Sequence, residues 1–425
     1  MNNEENPMAD VATGGHVLVL DERITGQEQL IAGMLDKQIS AGGAVIVLGA
    51  SIEEPMLATL LNACRQAGRE ADLLVVNPAK PATSHTYNPV LHSSPANIAS
   101  QVMNFIANQD DAADTNNAGT ARLLEAIIAS LQLGNIPYSF LDLGMFVMKP
   151  DAIAALAEFI GEAHPGSKAL RALDAALQPF RDADGSISPS LLKAKYSGLA
   201  GSMCMLGTGR LGEIFNSYKP DLVLHEAIAS GKVIYLAAPY IGRGAAASNL
   251  RRIVIANLAD AVGRLAEHDP MPKVPALAVF TDAGGCNDPC VERLLAAESE
   301  RVLRVWISSP SLDDLGRESI DLREVCLSRA RSLVFFRPNT EATAQLYLKF
   351  LNQDGAPGTG ALVERMLALS ATQYVAVTDG SQVQWGDARA PQLETKRSAV
   401  ELPRPERFFH EPLTGADQFT QTVPV

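Results

Sequence analysis

Short, strongly apolar runs alternate with amphipathic stretches along most of this chain, and this alternation limits the possible folds more than any other feature. Such runs are typical of strands that are buried on both faces of a parallel sheet. They cover residues 16–20, 44–48, 71–76, 221–224, 233–237, 276–280, 302–307, 332–336 and 373–377. Because the stretches between most of them are long enough for helices, the pattern predicts an α/β fold whose parallel sheet is flanked by helices.

The alternation is interrupted by a block that is helical throughout. Apolar residues recur at three-to-four spacing in residues 121–133, 151–163, 170–181 and 191–215, without a convincing strand between them. Because strands resume afterwards, the block is predicted to be an all-α insertion. The predicted organisation is a disordered N-terminus (1–13), a first α/β part (14–117), the all-α insertion (118–217), a second α/β part (218–355) and a partly disordered C-terminal extension (356–425).

A nucleotide-binding P-loop, G-x-x-x-x-G-K-[ST], would be expected directly after the first buried strand. At that place Gly26 keeps the second glycine, but Asp21 replaces the first, Gln27 the lysine and Glu28 the hydroxyl residue. The lysine of a P-loop offsets phosphate charge and the hydroxyl binds Mg²⁺. Two carboxylates at this place therefore favour a degenerate site without hydrolysis.

Composition and charge exclude several classes of protein. The formal net charge is −13 and the pI about 5.1, which argues against a surface adapted to general nucleic-acid binding. No apolar run is long enough for a membrane span, and the polar, acidic start is unlike a secretory signal. Five scattered cysteines fit a reducing cytosol, and Cys286 and Cys290 lack the further ligands of a zinc site. We therefore predict a cytoplasmic protein without a bound metal.

Several segments, in this order, resemble the type IV secretion coupling proteins of the TraD/TraG class, the hexameric ATPases that deliver DNA or protein substrates in conjugation. They are the strand at 42–48, the S-x-x-Y-N-P loop at 84–89, the exit from the helical block at 209–215, the segment 221–236 with Pro239, and residues 332–336 with 339–343. The resemblance spans about residues 14–355. It implies a RecA-like P-loop NTPase fold with an inserted all-α domain. The membrane helices that usually begin these proteins are not seen here.

The resemblance also implies where the remaining catalytic groups should lie. The acidic Walker B pair should end the strand 276–280, where the chain has Thr281 and Asp282. Whether Asp282 takes the first or the second place of that pair, the other carboxylate is missing. The next strand should lead to a glutamine that senses the γ-phosphate, and Pro310 lies in that region.

Four arginines are candidates for contacts with a neighbouring subunit or a central channel: Arg243, Arg251, Arg329 and Arg331. A solvated helix face or a surface ion pair is the simpler interpretation of each. Residues 207–212 match G-x-G-x-x-G, but they follow a helical segment, whereas a dinucleotide site needs a strand before that motif.

The sequence thus predicts a pseudo-ATPase relative of the coupling proteins, without a bound nucleotide, that serves as an accessory or structural subunit. Its expected partners are secretion or conjugation proteins, including an active coupling ATPase, in a homo- or hetero-oligomer that places it peripherally at the inner membrane. Two alternatives stay open. One is an active but divergent ATPase that takes its lysine from elsewhere, such as Lys37 or Lys232. The other is a nucleotide-independent adaptor that docks through the all-α domain.

Overall fold

Nine strands form one mostly parallel sheet in the computed structural model, which describes residues 15–23, 25–49, 55–107, 117–237, 245–267, 270–281, 288–316, 321–351, 359–378 and 382–388. The strands are β1 (Val17–Leu20), β2 (Val45–Gly49), β3 (Leu73–Val76), β4 (Val233–Ala237), β5 (Ala276–Phe280), β6 (Leu303–Ser309), β7 (Ser332–Phe336), β8 (Gln373–Thr378) and β9 (Gln382–Asp387). Their order across the sheet is β3-β4-β2-β5-β6-β1-β7-β8-β9.

Strand β1 lies in the interior of the sheet, between β6 and β7, and is parallel to both. All four of its side chains are buried, as the unbroken apolar run predicts. Strand β6 separates β1 from β5, which in turn pairs with β2 in parallel. The carboxyl ends of β1, β5 and β6 therefore meet at one edge of the sheet, where ligands bind in open α/β folds.

Fifteen helices are described. They are α1 (Thr25–Ser40), α2 (Pro55–Gln66), α3 (Pro95–Ala107), α4 (Asn117–Leu133), α5 (Phe140–Phe146), α6 (Pro150–Ala163), α7 (Lys168–Leu177), α8 (Pro189–Gly207), α9 (Gly209–Phe215), α10 (Leu224–Ala229), α11 (Ala245–Glu267), α12 (Pro289–Leu294), α13 (Arg323–Arg329), α14 (Glu341–Phe350) and α15 (Thr359–Leu367). Capping residues in the sequence explain why several of these helices begin where they do. Ser139 and Asp142 form a capping box at α5, and the hydroxyls of Ser167 and Thr340 cap α7 and α14.

The chain divides into two compact units. The first comprises Met1–Val75, Leu224–Arg243 and Ala261–Glu401, and it contains nearly all of the sheet. The second comprises Val76–Val223, Gly244–Asp260 and Leu402–Val425, and its described part is mainly helical. Within the second unit α4 packs against α3 and α7, while α5 packs against α8.

The loop that carries the S-x-x-Y-N-P pattern fastens distant parts of the second unit together. The carboxylate of Asp221 accepts hydrogen bonds from both the backbone N–H and the hydroxyl of Thr86, each at 2.7 Å. The side-chain amide of Asn88, 2% exposed, donates to the carbonyls of Tyr138 at 2.7 Å and Ser217 at 3.0 Å. The motif is therefore explained by structure, because its polar side chains satisfy buried backbone groups.

We expect Asn88→Ala to lower the free energy of unfolding by about 2 kcal/mol, because two buried carbonyls lose their donor. The backbone N–H of Val90 also loses its bond to the Asn88 Oδ1, at 3.1 Å. Urea unfolding followed by circular dichroism measures the change. Lys219→Ala is the control, since that side chain is exposed, and should change stability by less than about 0.5 kcal/mol. Equal stability of Asn88→Ala and the parent chain would contradict this role.

One prediction about local structure is wrong, and one strand was missed. Residues 221–224 do not form a strand: Leu222 makes a single bridge to Tyr87, and helix α10 begins at Leu224. Strand β9 was not predicted, because its sequence, QVQWGD, is mainly polar. It forms by antiparallel pairing with β8, which itself pairs antiparallel with β7.

Candidate functional site: a P-loop position filled by its own carboxylate

The carboxylate of Asp21 binds backbone N–H groups of the loop at which the sequence predicts a P-loop. Asp21 follows β1 directly and is 3% exposed. Its Oδ2 accepts the backbone N–H groups of Gly26 and Gln27, both at 3.0 Å, and its Oδ1 accepts that of Arg23 at 3.0 Å. Backbone N–H groups at a helix N-terminus bind anions, helped by the helix dipole. Here the anion belongs to the chain itself.

The lysine and hydroxyl positions of the P-loop carry neither a cation nor a hydroxyl group. Gln27 is 6% exposed, and its Oε1 has no hydrogen-bond partner in the described part of the chain. Glu28 is exposed in the first turn of α1. Loss of part of its hydration beside the loop, and then the nearby Asp21 carboxylate, raise the pKa of Glu28 above its ordinary value. A phosphate at this place would meet two carboxylates and no cation from these positions.

Gly26 is covered by residues that are distant in the sequence. A Cβ added to it would collide with the ring of Phe336, at the end of β7, and would lie 2.5 Å from the carbonyl oxygen of Ala371. The Phe336 ring in turn packs against Tyr374 on β8, with ring centroids 5.7 Å apart. The segment leading into β8 therefore closes over the first turn of α1.

Further contacts hold the loop between β1 and α1 against the start of α14. The Glu22 carboxylate accepts the backbone N–H of Asn339 at 2.8 Å and the hydroxyl of Thr343 at 3.3 Å. Arg23 Nε donates to Asn339 Oδ1 at 3.1 Å. The residues that replace the usual P-loop thus serve local structure.

The ends of β5 and β6 lie beside this loop, as the strand order requires. The Thr281 hydroxyl donates to the carbonyl of Leu48 at 3.1 Å, so this side chain fastens β5 to β2. Asp282, the other Walker B candidate, lies outside the described residues. After β6, Pro310 is partly exposed, and it has no side-chain donor that could reach a phosphate.

The raised pKa of Glu28 gives a test of the local charge. A carboxyl whose folded-state pKa is raised favours the folded state at pH values below its ordinary pKa of 4.5, and this contribution is lost as pH rises through the raised value. We therefore expect Glu28→Gln to stabilise the chain at pH 7 but not below about pH 4. Because the side chain is exposed, the gain should stay below about 0.5 kcal/mol. Melting curves of both proteins across this range test it, and a gain that is constant with pH would contradict it.

Neither lysine named as a substitute lies near the site. In their order across the sheet, the strands β4, β2, β5, β6, β1 and β7 are all parallel. Residues that directly precede one of these strands therefore lie at the edge of the sheet opposite the P-loop position. Lys232 precedes β4 and its Nζ lies 2.8 Å from Asp72 Oδ1. Lys37 is in the last turn of α1, about 18 Å along the helix from its start.

The four candidate arginines are placed differently from one another. Arg251 is fully buried in α11, so it is not a surface group for a neighbouring subunit or a channel. Arg329 and Arg331 are exposed but precede β7, at the edge of the sheet opposite Asp21. Arg243 lies outside the described residues. Neither Arg329 nor Arg331 is therefore brought to the P-loop position.

The described residues show neither a strand before the G-x-G-x-x-G motif nor a cluster of metal ligands. The motif at 207–212 joins the end of α8 to α9, so no strand precedes it. Among the residues that the structure describes, no group of three or more His, Cys, Asp or Glu side chains is arranged to hold a metal ion. In the same residues, no helix is both long and apolar enough to cross a membrane.

Solved structures of conjugation and secretion proteins share this fold. The plasmid coupling protein TrwB in complex with a non-hydrolysable ATP analogue aligns with a TM-score of 0.57 and 12% identity, covering 91% of this chain and 88% of that one. TrwB in complex with ADP and Mg²⁺ gives 0.53 and 13%, covering 96% and 89%. VirB4 of Thermoanaerobacter pseudethanolicus gives 0.52 and 13%, covering 90% and 93%.

No protein-family model matches the chain, and no curated protein sequence matches it. The likeness therefore rests on the structure. It confirms the predicted RecA-like P-loop NTPase fold with an all-α insertion, and the resemblance to coupling proteins holds at the level of the fold. The chain has the fold of the conjugative coupling protein TrwB and of VirB4.

Proposed function

We propose that this chain is a pseudo-ATPase of the coupling-protein kind, acting as an accessory or structural subunit in conjugative DNA transfer or type IV secretion. The observation that carries the proposal is the Asp21 carboxylate, which accepts the N–H groups that a phosphate would need. A nucleotide would have to displace a tethered anion and then sit beside Glu28 without a lysine.

Two other features support the loss of hydrolysis. Thr281 uses its hydroxyl to fasten two strands, and Pro310 follows the strand that should present a γ-phosphate sensor. With the P-loop, these are three separate parts of the motor chemistry. The loop residues and Thr281 serve the fold, and Pro310 has no side-chain donor for a phosphate. The fold likeness to TrwB and VirB4 supports the assignment of the chain to conjugative DNA transfer or type IV secretion.

Partners of this subunit are proposed on the same basis. An active coupling ATPase is the preferred partner, in a mixed or neighbouring oligomer at the inner membrane, with the chain itself cytoplasmic. Direct DNA binding is not favoured, given the net charge of −13. We keep residues 118–217 as the proposed inserted domain. They lie within the second compact unit, in its segment Val76–Val223.

The divergent-ATPase alternative loses support from the positions of Lys37 and Lys232. It would now require a cation from elsewhere in the chain or from another subunit. The adaptor alternative, with docking through the all-α domain, agrees with a filled P-loop position and differs in giving nucleotide no role.

The proposal is tested by isolating the full-length chain from its native host and identifying bound proteins by mass spectrometry. A single secretion-class ATPase, retained when Mg²⁺ and nucleotide are removed, is the expected result. Loss of that partner after deletion of residues 120–215, with the sheet still folded by circular dichroism, would favour the adaptor form. Steady phosphate release from ATP by the purified chain alone would contradict the pseudo-ATPase assignment.

A further inference from the structure

The outer face of helix α8 is apolar although it faces solvent. We define the outer stripe as Leu191, Ala194, Gly198, Gly201 and Met205, which follow one another at three-to-four spacing and so share one side of the helix. All five are exposed; Leu191 is 42% and Met205 68% exposed. The opposite side of α8 is buried in its own unit through larger side chains: Leu192, Tyr196, Leu199, Met203 and Leu206. The buried side of α8 therefore holds the helix in its own unit, and the outer stripe is not needed to hold it there.

The two glycines of the outer stripe weaken the helix without serving its own fold. No described atom lies within 4 Å of the position that a Cβ would take on Gly198 or Gly201, and neither has a positive φ. Alanine would fit at both places, and glycine is less favourable than alanine in a helix interior. A glycine face on a helix allows another backbone to approach closely. The large exposed side chains Leu191 and Met205 lie at the two ends of this surface of small residues.

Positive charge flanks the outer stripe on an otherwise acidic chain. At 100° per residue, Lys193 and Lys195 lie on opposite sides of the stripe. Arg210 follows in α9 and is exposed. None of these three makes an ion pair with a described residue, and α8 has no acidic residue in its first turn. The N-terminal end of the helix dipole adds to this positive field, while the whole chain carries −13.

We propose that the outer stripe of α8 is the docking site for an acidic amphipathic helix of a partner protein. The spacing of the stripe suits a helix packed lengthwise, the glycines allow close contact, and Leu191 and Met205 provide the apolar anchors. Lys193 and Lys195 would pair with acidic residues on the two flanks of the partner helix. The inference rests on the accessory role proposed above, since an accessory subunit must hold a partner. Its failure is separable, because variants of α8 leave the P-loop position unchanged.

The test uses the full-length chain and two synthetic helical peptides. Both have alanine and leucine on one face, and their flanks carry glutamate in one peptide and lysine in the other. Fluorescence anisotropy measures binding to the parent chain and to the Gly198→Ala/Gly201→Ala double variant. We expect the glutamate peptide to bind, the lysine peptide not to bind, and the double variant to bind at least about tenfold more weakly.

Thermal unfolding of the same variants makes the test specific. The double alanine variant should melt at a higher temperature than the parent chain, because helix propensity improves at each site. A variant that is more stable and binds less cannot owe its weaker binding to misfolding. Gly263→Ala is the matched control: Gly263 lies in α11 with no described atom within 4 Å of its Cβ position. It should also raise the melting temperature while peptide binding stays unchanged.

Four outcomes would overturn the proposal. They are no binding of the glutamate peptide at millimolar concentration, equal binding of both peptides, equal binding to the parent chain and the double variant, and loss of binding in Gly263→Ala. Two further results would reassign the surface. A dimer in sedimentation that Met205→Lys dissociates would make the occupant a second copy. Binding of a duplex oligonucleotide that Lys193→Glu abolishes would make it nucleic acid.

Discussion

Replacing Asp21 by alanine should lower the free energy of unfolding by about 3 kcal/mol. The change removes one carboxylate that accepts three backbone N–H groups, those of Arg23, Gly26 and Gln27, at 3.0 Å each. Hydrogen bonds to a charged group contribute about 1.5–3 kcal/mol, and loss of a helix cap alone costs about 1 kcal/mol. Because Asp21 is buried, water replaces the lost acceptor poorly. Urea unfolding measures the effect, and Asp21→Asn should lie between the two proteins.

The same variant shows whether Asp21 acts as an internal anion or only as a helix cap. If the N–H groups form an anion site, added formate should partly restore the melting temperature of Asp21→Ala. It should have no specific effect on the parent chain, whose site is filled. Chloride at equal ionic strength is the control. Identical responses of both proteins to formate would mean that removal of the carboxylate leaves no anion site.

Replacing Gly26 by alanine should cost about 3 kcal/mol, which is large for a single added methyl group in a helix. The new Cβ would meet the Phe336 ring and the carbonyl oxygen of Ala371. The carbonyl is backbone and cannot rotate away, so either α1 or the segment before β8 must move. At Gly119, a helical site in α4 with no described atom within 4 Å of its Cβ position, the same substitution should stabilise the chain by up to about 1 kcal/mol.

A double-variant cycle connects the cost of Gly26→Ala to its cause. Phe336→Ala alone removes a buried ring and should destabilise the chain. Combined with Gly26→Ala, it should cost clearly less than the sum of the two single changes, because one steric conflict is relieved. Additive costs would show that the ring does not limit the space at Gly26. They would contradict the view that β7 and the segment leading into β8 close over the P-loop position.

Much of the fold could be predicted because its strands are buried on both faces. Apolar runs such as residues 276–280 and 332–336 become strands with the same bounds, β5 and β7. Strand β9 escaped prediction because an edge strand keeps polar side chains and gains its order from pairing with β8. At residues 221–224 a similar apolar pattern was misleading, because the chain there makes only a single bridge before α10.

The sequence predicts where the candidate site lies along the chain, but not how the Asp21 carboxylate is hydrogen-bonded there. The pattern around Gly26 identifies the P-loop place, and it suggests only that Asp21 adds repulsion. That the carboxylate takes the N–H groups of the loop depends on backbone geometry, which no residue pattern states. The cover over Gly26 comes from Phe336 and Ala371, and only the folded sheet brings these residues to α1. Burial of Arg251 likewise follows from packing of α11 rather than from its sequence neighbours.

Isothermal titration calorimetry of the full-length chain with ATP and Mg²⁺ tests most directly whether the P-loop position is closed. Because Asp21 already holds the N–H groups of Gly26 and Gln27, we expect no saturable heat of binding at millimolar nucleotide. The melting temperature should likewise not change with nucleotide. Saturable binding with a Kd below about 0.1 mM, equivalent to more than about 5 kcal/mol, would contradict this account.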